Sequence, residues 1–173
     1  GKTMLGRYSS LTHIDWASVE RLAFICKGNI CRSPYAEAKS RSLGIDAVSF
    51  GLDAAGNAFA DGSAVRNALR REVDLTKHRS SRLSVSDLRS RDLLLLFEPQ
   101  HLAMVRQACD GSHMPISLLG LWSKPRRPYL SDPFGKSDEY FQECFALIDS
   151  ALENISGLMR PTLGERGGAS CLP

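Results

Sequence analysis

Residues 22–34 decide the fold, and they read LAFICKGNICRSP. The apolar run at 22–25 predicts a buried strand, because successive apolar residues are typical of a strand that is covered on both faces. Ser33 and Pro34 predict the start of a helix over 34–43, since a hydroxyl side chain caps a helix and proline suits the first helical position. A strand, a short polar loop and a helix therefore follow one another here.

The same alternation continues along the chain. The pattern predicts strands over 47–50, 93–97 and 116–119, and helices over 61–73, 99–108 and 137–157. A capping-box spacing at Ser84 adds a helix of one or two turns that ends near Arg89. The run at 93–97 is the most apolar in the chain, as is typical of a central parallel strand. We therefore expect an α/β fold: a single three-layer domain with a four-stranded parallel sheet and helices on both faces.

The domain is expected to span residues 1–160. Residues 1–20 are an N-terminal extension that contains a helix, and three prolines make 122–133 an extended loop. From residue 161 to residue 173, glycine, proline and polar residues replace any periodicity, which predicts a disordered tail.

Composition excludes several function classes. The 173 residues carry 22 Lys+Arg against 19 Asp+Glu, and this net charge of +3 is too weak to indicate nucleic-acid binding. The longest purely aliphatic run, at 93–96, is far too short for a membrane helix, and the first ten residues lack the apolar stretch of a signal peptide. The five cysteines include no CxxC pair, which favours a reducing compartment and hence a cytoplasmic protein.

The loop between the first strand and the first helix predicts an anion site. In an open α/β sheet, ligands bind at the carboxyl ends of strands, and the unpaired N–H groups at the start of the next helix favour an anion. Gly28 and Asn29 both tolerate positive φ, so successive backbone amides are able to turn inward as a nest for phosphate oxygens.

Two side chains in this loop carry chemistry. The amides, together with Arg32, favour the thiolate form of Cys26, which makes Cys26 a candidate nucleophile. Arg32 offers a planar fork for two phosphate oxygens, a geometry that lysine lacks. A cysteine and an arginine at this spacing occur often by chance, so the prediction rests on the Gly-Asn pair between them and on the strand-to-helix position.

The string GNICRSP at 28–34 resembles the low-molecular-weight protein tyrosine phosphatases, and the resemblance extends from about residue 22 to about residue 158. It implies hydrolysis of phosphotyrosine in proteins through a cysteinyl-phosphate on Cys26, with Arg32 as the phosphate clamp and with neither metal nor cofactor. Phosphate and other oxyanions would bind as inhibitors. The phosphate-binding residues that it implies are Lys27, Gly28, Asn29, Ile30, Cys31, Arg32 and Ser33.

The family places a general acid in an Asp-Pro-aromatic motif near the C-terminus. Here Asp132-Pro133-Phe134 lies in the proline-rich loop, directly before the last predicted helix. The resemblance makes Asp132 the acid and later the base, because a phenolate leaves more readily once its oxygen receives a proton. An Asp-Pro pair alone is usually only a turn.

The resemblance also assigns supporting residues. Ser33 is expected to donate a hydrogen bond to the thiolate, and Asn29 is expected to hold the loop through contacts with His78 and Ser49. Two further residues, Ile30 and Phe134, are expected to form the apolar walls of a deep slot, which favours phosphotyrosine over the shorter phosphoserine. The alternative for Phe134 is a place in the core.

Two more residues receive expectations. Glu98 stands where family members commonly have aspartate, and we expect it to have a structural role. Cys31 lies five residues from Cys26 on the same tight loop, so it is a candidate partner for a protective disulfide. The alternative is that Cys31 is a small buried hydrophobe.

Two other functions compete with the phosphatase. An arsenate reductase of the same fold needs two further cysteines near the end of a central strand, but the chain has Glu98, Pro99 and Gln100 there, and the next cysteine downstream is Cys109. A non-catalytic phosphopeptide-binding module would not need Asp132. The Asp-Pro-Phe-Gly sequence is similar to that of bacterial members, which implies a bacterial tyrosine kinase as the protein substrate.

Overall fold

The computed structural model describes residues 6–159, so the tail predicted at 161–173 lies outside the described residues. Four parallel strands form one sheet in the order β2-β1-β3-β4. Their bounds are Arg21–Cys26 for β1, Ala47–Gly51 for β2, Asp92–Leu96 for β3 and Ile116–Leu118 for β4. The predicted four-stranded parallel sheet is confirmed.

Helices cover both faces of the sheet, as predicted. They are α1 at Arg32–Ser42, α2 at Gly62–Leu69, α3 at Leu102–Ala108 and α4 at Asp138–Met159. Alternate residues of β1 point to opposite faces, so Phe24 packs in the core with Tyr35 of α1 and Phe145 of α4, whereas Ile25 packs with Leu102 and Val105 of α3. Burial of β1 and β3 on both sides explains their continuous apolar sequences.

The described part of the N-terminal extension contacts both faces of the sheet, with Leu11 on the α3 side and Trp16 on the α4 side. Its helix, Gly6–Thr12, has 3₁₀ geometry and buries Leu11. The Leu11 carbonyl oxygen accepts a hydrogen bond from the Ser117 hydroxyl of β4 at 2.7 Å. Farther along, the Trp16 ring meets the Trp122 ring edge-on, with centroids 4.9 Å apart. The extension thus completes the cover of the sheet beside β4.

Two predicted helix bounds are wrong. The helix predicted over 61–73 ends at Leu69, because Glu72 has a φ of 60° and the Val73 N–H turns back to the Ala68 carbonyl oxygen at 3.0 Å. This left-handed turn puts Val73 into the core. The helix predicted from Ser84 is only a three-residue 3₁₀ turn, Val85–Asp87, since the Ser84 hydroxyl contacts the Ser86 hydroxyl and makes no cap.

The parallel strands bring three connecting segments to one edge of the sheet. β1 ends at Cys26, the segment after β2 contains Asp53, and the segment after β3 contains Glu98. The carboxyl-terminal edge is where an open α/β sheet binds its ligands. Between residues 6 and 159, no helix has the length and apolar character needed to cross a membrane.

Candidate active site

The phosphate loop, defined as residues 26–33, runs from the end of β1 into the first turn of α1. The Cys26 side chain is buried in it, and the Asn29 backbone N–H donates to the sulfur at 3.3 Å. The Ser33 hydroxyl oxygen lies 2.9 Å from the same sulfur. Both contacts suit a thiolate, because N–H and O–H groups stabilise a negative sulfur.

Asn29 connects the phosphate loop to two neighbouring segments. Its φ of 55° lies in the left-handed region, where asparagine is enriched. Its side-chain amide donates to the Ser33 and Ser49 hydroxyls at 2.8 Å each, and its side-chain oxygen accepts from the Ser81 N–H at 2.8 Å. Its backbone carbonyl oxygen accepts from His78 Nε2 at 2.7 Å. These contacts fix the middle of the loop.

The end of β2 supports the start of the phosphate loop. The Leu52 N–H donates to the Cys26 carbonyl oxygen at 2.9 Å, and the Asp53 N–H donates to the Lys27 carbonyl oxygen at 2.8 Å. A Cβ atom at Gly51 would lie 2.8 Å from the Lys27 carbonyl oxygen, so the close approach of the two segments requires glycine here.

Arg32 is buried, with 1% of its surface exposed, and it joins the phosphate loop to two other segments. Its Nη1 donates to the Leu130 carbonyl oxygen at 2.8 Å and to the Glu98 carboxylate. Its Nη2 lies 3.2 Å from the Asp132 carboxylate. Its Nε–H is buried and has no hydrogen-bond partner among the described residues. Nε and Nη2 form one edge of the guanidinium. On this edge Asp132 contacts Nη2, and Nε–H remains without a hydrogen-bond partner among the described residues.

The charges around Arg32 keep it cationic. Burial alone would lower the pKa of Arg32, but its neighbours Cys26, Asp132 and Glu98 together raise that pKa above its ordinary value. The expectation that Glu98 has a structural role fits its position, because its carboxylate binds both Arg32 and the Gln100 side-chain amide.

The Asp132 loop, defined as residues 130–137, faces the phosphate loop. It starts at Leu130, whose N–H donates to the Phe97 carbonyl oxygen at 2.8 Å. The Asp132 side chain is 42% exposed, and its Oδ1 accepts from the Phe134 N–H at 3.2 Å. The general acid expected from the sequence thus lies beside Arg32, with part of its carboxylate open to solvent.

A cavity of about 240 Å³ opens above Cys26 between the two loops. It brings together nine of the predicted site residues, and its lining consists of Cys26, Lys27, Gly28, Asn29, Ile30, Cys31, Arg32, Asp53, Asp132 and Phe134. The predicted residues Ser33, Ser49 and His78 do not line it and support the loop from behind. Phe134 is 57% exposed, so the alternative that it belongs to the core is wrong.

Asp53 is a cavity residue that the sequence analysis missed. It lies two residues beyond the end of β2, the neighbour of β1 in the sheet. Adjacent parallel strands end at the same edge, so its position after a predicted strand could have marked it as a site residue. The residue type alone could not identify Asp53 as a site residue, because exposed aspartates are common in loops.

The predicted cap of α1 is wrong. The helix begins at Arg32, and the residue before it is Cys31. Ser33, expected as the cap, instead directs its hydroxyl to the Cys26 sulfur. The first N–H groups of the helix lie at the predicted anion site, where a bound anion would accept from them in place of a side-chain cap.

Cys31 lies in the same cavity as Cys26, and both are free thiols. Burial, followed by the charges of Asp61 and Asp132, raises the pKa of the Cys31 thiol far above its ordinary value. The two cysteines therefore differ in kind: donors surround one sulfur, whereas the other stays a neutral thiol.

Comparison with known proteins gives consistent matches. A sequence profile of the low molecular weight phosphotyrosine protein phosphatases matches residues 21–163. The low molecular weight protein-tyrosine-phosphatase Etp of Escherichia coli is 30% identical over 129 residues, which cover 73% of this chain and 86% of Etp. The solved structure of the tyrosine phosphatase AmsI from Erwinia amylovora has a TM-score of 0.74 at 27% identity, covering 80% of this chain and 92% of AmsI.

Two further solved structures extend the comparison. Wzb from Escherichia coli, a tyrosine phosphatase in complex with sulphate, has a TM-score of 0.74 at 30% identity, covering 80% of this chain and 97% of Wzb. An arginine phosphatase, YwlE, has a TM-score of 0.72 at 25% identity, covering 79% of this chain and 93% of YwlE.

Fold and comparisons together define a phosphatase that has a buried cysteine and a buried arginine in the loop after its first strand. The extent of the profile match and of the match to Etp shows the family. The chain belongs to the low-molecular-weight protein-tyrosine-phosphatase family, and the resemblance carried by GNICRSP is confirmed. Its enzyme class is accordingly that of a protein-tyrosine-phosphatase.

Proposed function

We propose that this protein hydrolyses phosphotyrosine in proteins through a cysteinyl-phosphate intermediate, with Cys26 as nucleophile, Arg32 as phosphate clamp and Asp132 as general acid and then base. The single observation that carries the proposal is the buried Arg32 guanidinium beside Cys26. Its Nε–H has no partner among the described residues, and such a donor suits a phosphate oxygen.

In the first step, the Cys26 thiolate attacks phosphorus and the bond from phosphorus to the tyrosine oxygen breaks. The three equatorial oxygens gain charge, and the backbone amides of the phosphate loop and the Nε and Nη2 edge of Arg32 stabilise it. The Asp132 carboxyl group gives its proton to the departing phenolate.

In the second step, the Asp132 carboxylate accepts a proton from water while the water oxygen attacks phosphorus. The bond from phosphorus to sulfur breaks, phosphate leaves, and the electron pair returns to Cys26 as a thiolate. The Ser33 hydroxyl and the Asn29 N–H contact this sulfur, so they stabilise the leaving thiolate of this step.

The walls of the cavity support an aromatic substrate. Ile30 and Phe134 present apolar surface above the cysteine, and a phenyl ring between them gains favourable contact that a short alkyl chain cannot reach. An exposed Phe134 also agrees with a wall that becomes covered only when substrate binds.

The proposal is tested with three peptides of one sequence that carry phosphotyrosine, phosphoserine or phosphoarginine. We expect kcat/KM for phosphotyrosine to exceed that for phosphoserine by at least about a hundredfold, and Cys26→Ser to abolish phosphate release. Faster release from phosphoarginine would overturn the substrate assignment. Binding without turnover would indicate a binding module, and arsenate-dependent consumption of thiol would indicate a reductase.

For the physiological substrate, we propose a class of protein. The named relatives come from bacteria, and a bacterial tyrosine kinase is the protein substrate that the family resemblance suggests. The four cysteines in the described part of the chain are free thiols, which suits a reducing cytoplasm. Proteins retained by a Cys26→Ser variant from a lysate with intact phosphotyrosine, and released by vanadate, would identify the substrate.

A further inference from the structure

The residue before the proposed acid has a contact that nothing in the mechanism uses. The Ser131 hydroxyl is hydrogen-bonded to the Tyr140 hydroxyl, and both side chains are partly buried. Tyr140 lies in the first turn of α4, and its neighbour Phe141 is fully buried in the core. Because Phe141 anchors this turn, Tyr140 offers a fixed hydroxyl to an otherwise exposed loop.

Backbone contacts fix both ends of the Asp132 loop, and between them Pro133 is buried and its carbonyl oxygen accepts from the Lys136 N–H at 2.9 Å. At the start, Leu130 bonds to Phe97 and to Arg32. At the end, the loop joins α4, which begins at Asp138. Gly135 lies between Leu130 and Asp138, has a φ of 73° and carries no side chain that could make a contact. Between these ends, the other side-chain contacts among the described residues are a long hydrogen bond from the Cys144 thiol to the Ser131 carbonyl oxygen at 4.0 Å, the bond of Asp132 to the Phe134 N–H and its ion pair with Arg32.

We propose that Tyr140 is a positioning residue for the general acid: through Ser131 it holds the backbone at Asp132 where the carboxyl group reaches the leaving oxygen. The inference rests on the proposed role of Asp132. When phosphate enters, it competes with Asp132 for Nη2 of Arg32, so the ion pair weakens at the moment when the acid must be in place. The bond from Tyr140 to Ser131 does not involve Arg32 and persists.

General acid catalysis is sensitive to such positioning. Proton transfer requires the carboxyl group within hydrogen-bond distance of the leaving oxygen, and a small displacement loses much of the effect. The requirement grows as the leaving group becomes more basic, because a good leaving group departs without a proton. Loss of the Tyr140 hydroxyl should therefore affect poor leaving groups and spare good ones.

The experiment measures kcat/KM for a series of aryl phosphates whose phenols range from acidic to basic, because kcat/KM reports the first step, in which the phenol leaves. Removal of one hydrogen bond corresponds to a factor of about three to ten. We expect Tyr140→Phe to lower kcat/KM by this factor for phenyl phosphate and to leave kcat/KM for 4-nitrophenyl phosphate and the affinity for inorganic phosphate unchanged. Tyr129→Phe is the matched control, because Tyr129 is 50% exposed and its hydroxyl makes no hydrogen bond among the described residues.

A double-variant cycle separates positioning from simple stability. In an Asp132→Ala background, Tyr140→Phe should have no further effect on kcat/KM, because no acid remains to be positioned. An equal loss in both backgrounds, or an equal loss with all leaving groups, would overturn the proposal. If Asp132→Ala itself leaves phenyl phosphate turnover unchanged, the proposed function fails instead.

The other side of the contact gives an independent check. Ser131→Ala removes the hydroxyl that Tyr140 binds, so we expect the same leaving-group dependence as for Tyr140→Phe. Ser131→Thr keeps a hydroxyl and should retain the parent kcat/KM. A loss with Ser131→Thr as large as that with Ser131→Ala would contradict the role of the hydroxyl contact.

Discussion

The phosphate loop and the Asp132 loop face the same cavity but are built in opposite ways. The side chains that carry the phosphate loop are buried: Cys26 is 3%, Asn29 0% and Arg32 1% exposed. In the Asp132 loop, the Asp132 side chain is 42% exposed and Phe134 is 57% exposed. The site side chains of the phosphate loop are thus buried, whereas Asp132 and Phe134 are open to solvent on a loop that is itself held by the buried Leu130.

On the proposed mechanism, this difference follows from the two chemical tasks of the loops. Charge that develops on phosphate is stabilised best by donors already fixed in place, so the loop that binds it must be rigid before substrate arrives. The acid and the apolar wall must admit a protein side chain and then close on its ring, so their loop needs access to solvent. Arg32 links the two loops, since it contacts Asp132 and the Leu130 carbonyl oxygen.

The largest expected effect comes from the residue that links the loops. Arg32→Lys retains a positive charge but lacks the planar pair of N–H donors that binds two phosphate oxygens. It also removes the guanidinium that donates to the Glu98 carboxylate. We expect kcat/KM for an aryl phosphate to fall about a hundredfold to a thousandfold. The measurement is steady-state kinetics, with thermal unfolding as a check that the variant is folded. A kcat/KM within a factor of about three of the parent would contradict the clamp role.

The second largest effect is expected for substitutions of Asp132, whose side chain is partly exposed. Asp132→Ala should lower kcat for phenyl phosphate about a hundredfold, the usual contribution of a general acid, and should leave the inhibition constant of phosphate nearly unchanged. Asp132→Asn is the matched control, because it keeps the size of the side chain but cannot protonate the leaving group. If the Asn variant retained parent activity, the proton-transfer role would be excluded.

The sequence predicted the phosphate loop far better than the Asp132 loop, and the reason is distance along the chain. Cys26, Asn29 and Arg32 lie within one loop, so the strand before it and the helix after it already determine where they meet. Asp132 became a candidate only through the family motif, because composition and periodicity do not relate it to a loop a hundred residues earlier.

Other contacts could not be predicted because they depend on packing. Tyr140 looks like an ordinary helix residue, and only the path of the Asp132 loop brings it to Ser131. Likewise, nothing in the sequence distinguishes Ser33 as a cap from Ser33 as a thiolate donor, since both roles need a hydroxyl at the start of a helix. The left-handed turn at Glu72, which ends α2 early, has no glycine to announce it.

The rigidity of the phosphate loop is tested at Asn29. Asn29→Ala removes the amide that binds two hydroxyls and places alanine at a φ of 55°. We expect the free energy of unfolding to fall by about 2–4 kcal/mol, the sum of lost hydrogen bonds and of the left-handed conformation. Asn29→Gly tolerates that φ, so it should lose about 1 kcal/mol less. Urea unfolding measures both, and equal losses would show that the backbone conformation contributes nothing.

A smaller effect distinguishes the two cysteines of the phosphate loop. If Cys31 forms a protective disulfide with Cys26, peroxide inactivation of the parent should be reversed by thiol, whereas Cys31→Ala should recover several times less activity because Cys26 oxidises further. Cys109→Ala is the control, since Cys109 does not line the cavity. Activity after treatment with dithiothreitol is the measurement, and identical recovery in all three proteins would rule out the disulfide.

The smallest expected effect compares the charged contacts at the end of the Asp132 loop with the uncharged hydrogen bonds that hold the phosphate loop. Asp138, where α4 begins, binds Arg66, Arg70 and Asn67 of the α2 region, and these contacts hold the pKa of its carboxyl at about 2. Because the folded pKa of Asp138 lies below the ordinary value, the contribution of its carboxylate to stability is present above about pH 4 and disappears as the pH falls toward 2.

The phosphate loop is held by Asn29 and serine hydroxyls, which do not titrate in this range. The stability difference between the parent and Asp138→Asn should therefore be small at pH 7 and smaller still at pH 2, as measured by urea unfolding at both values. A difference that stays constant down to pH 2 would show that Asp138 acts through the shape of its side chain and not through its charge.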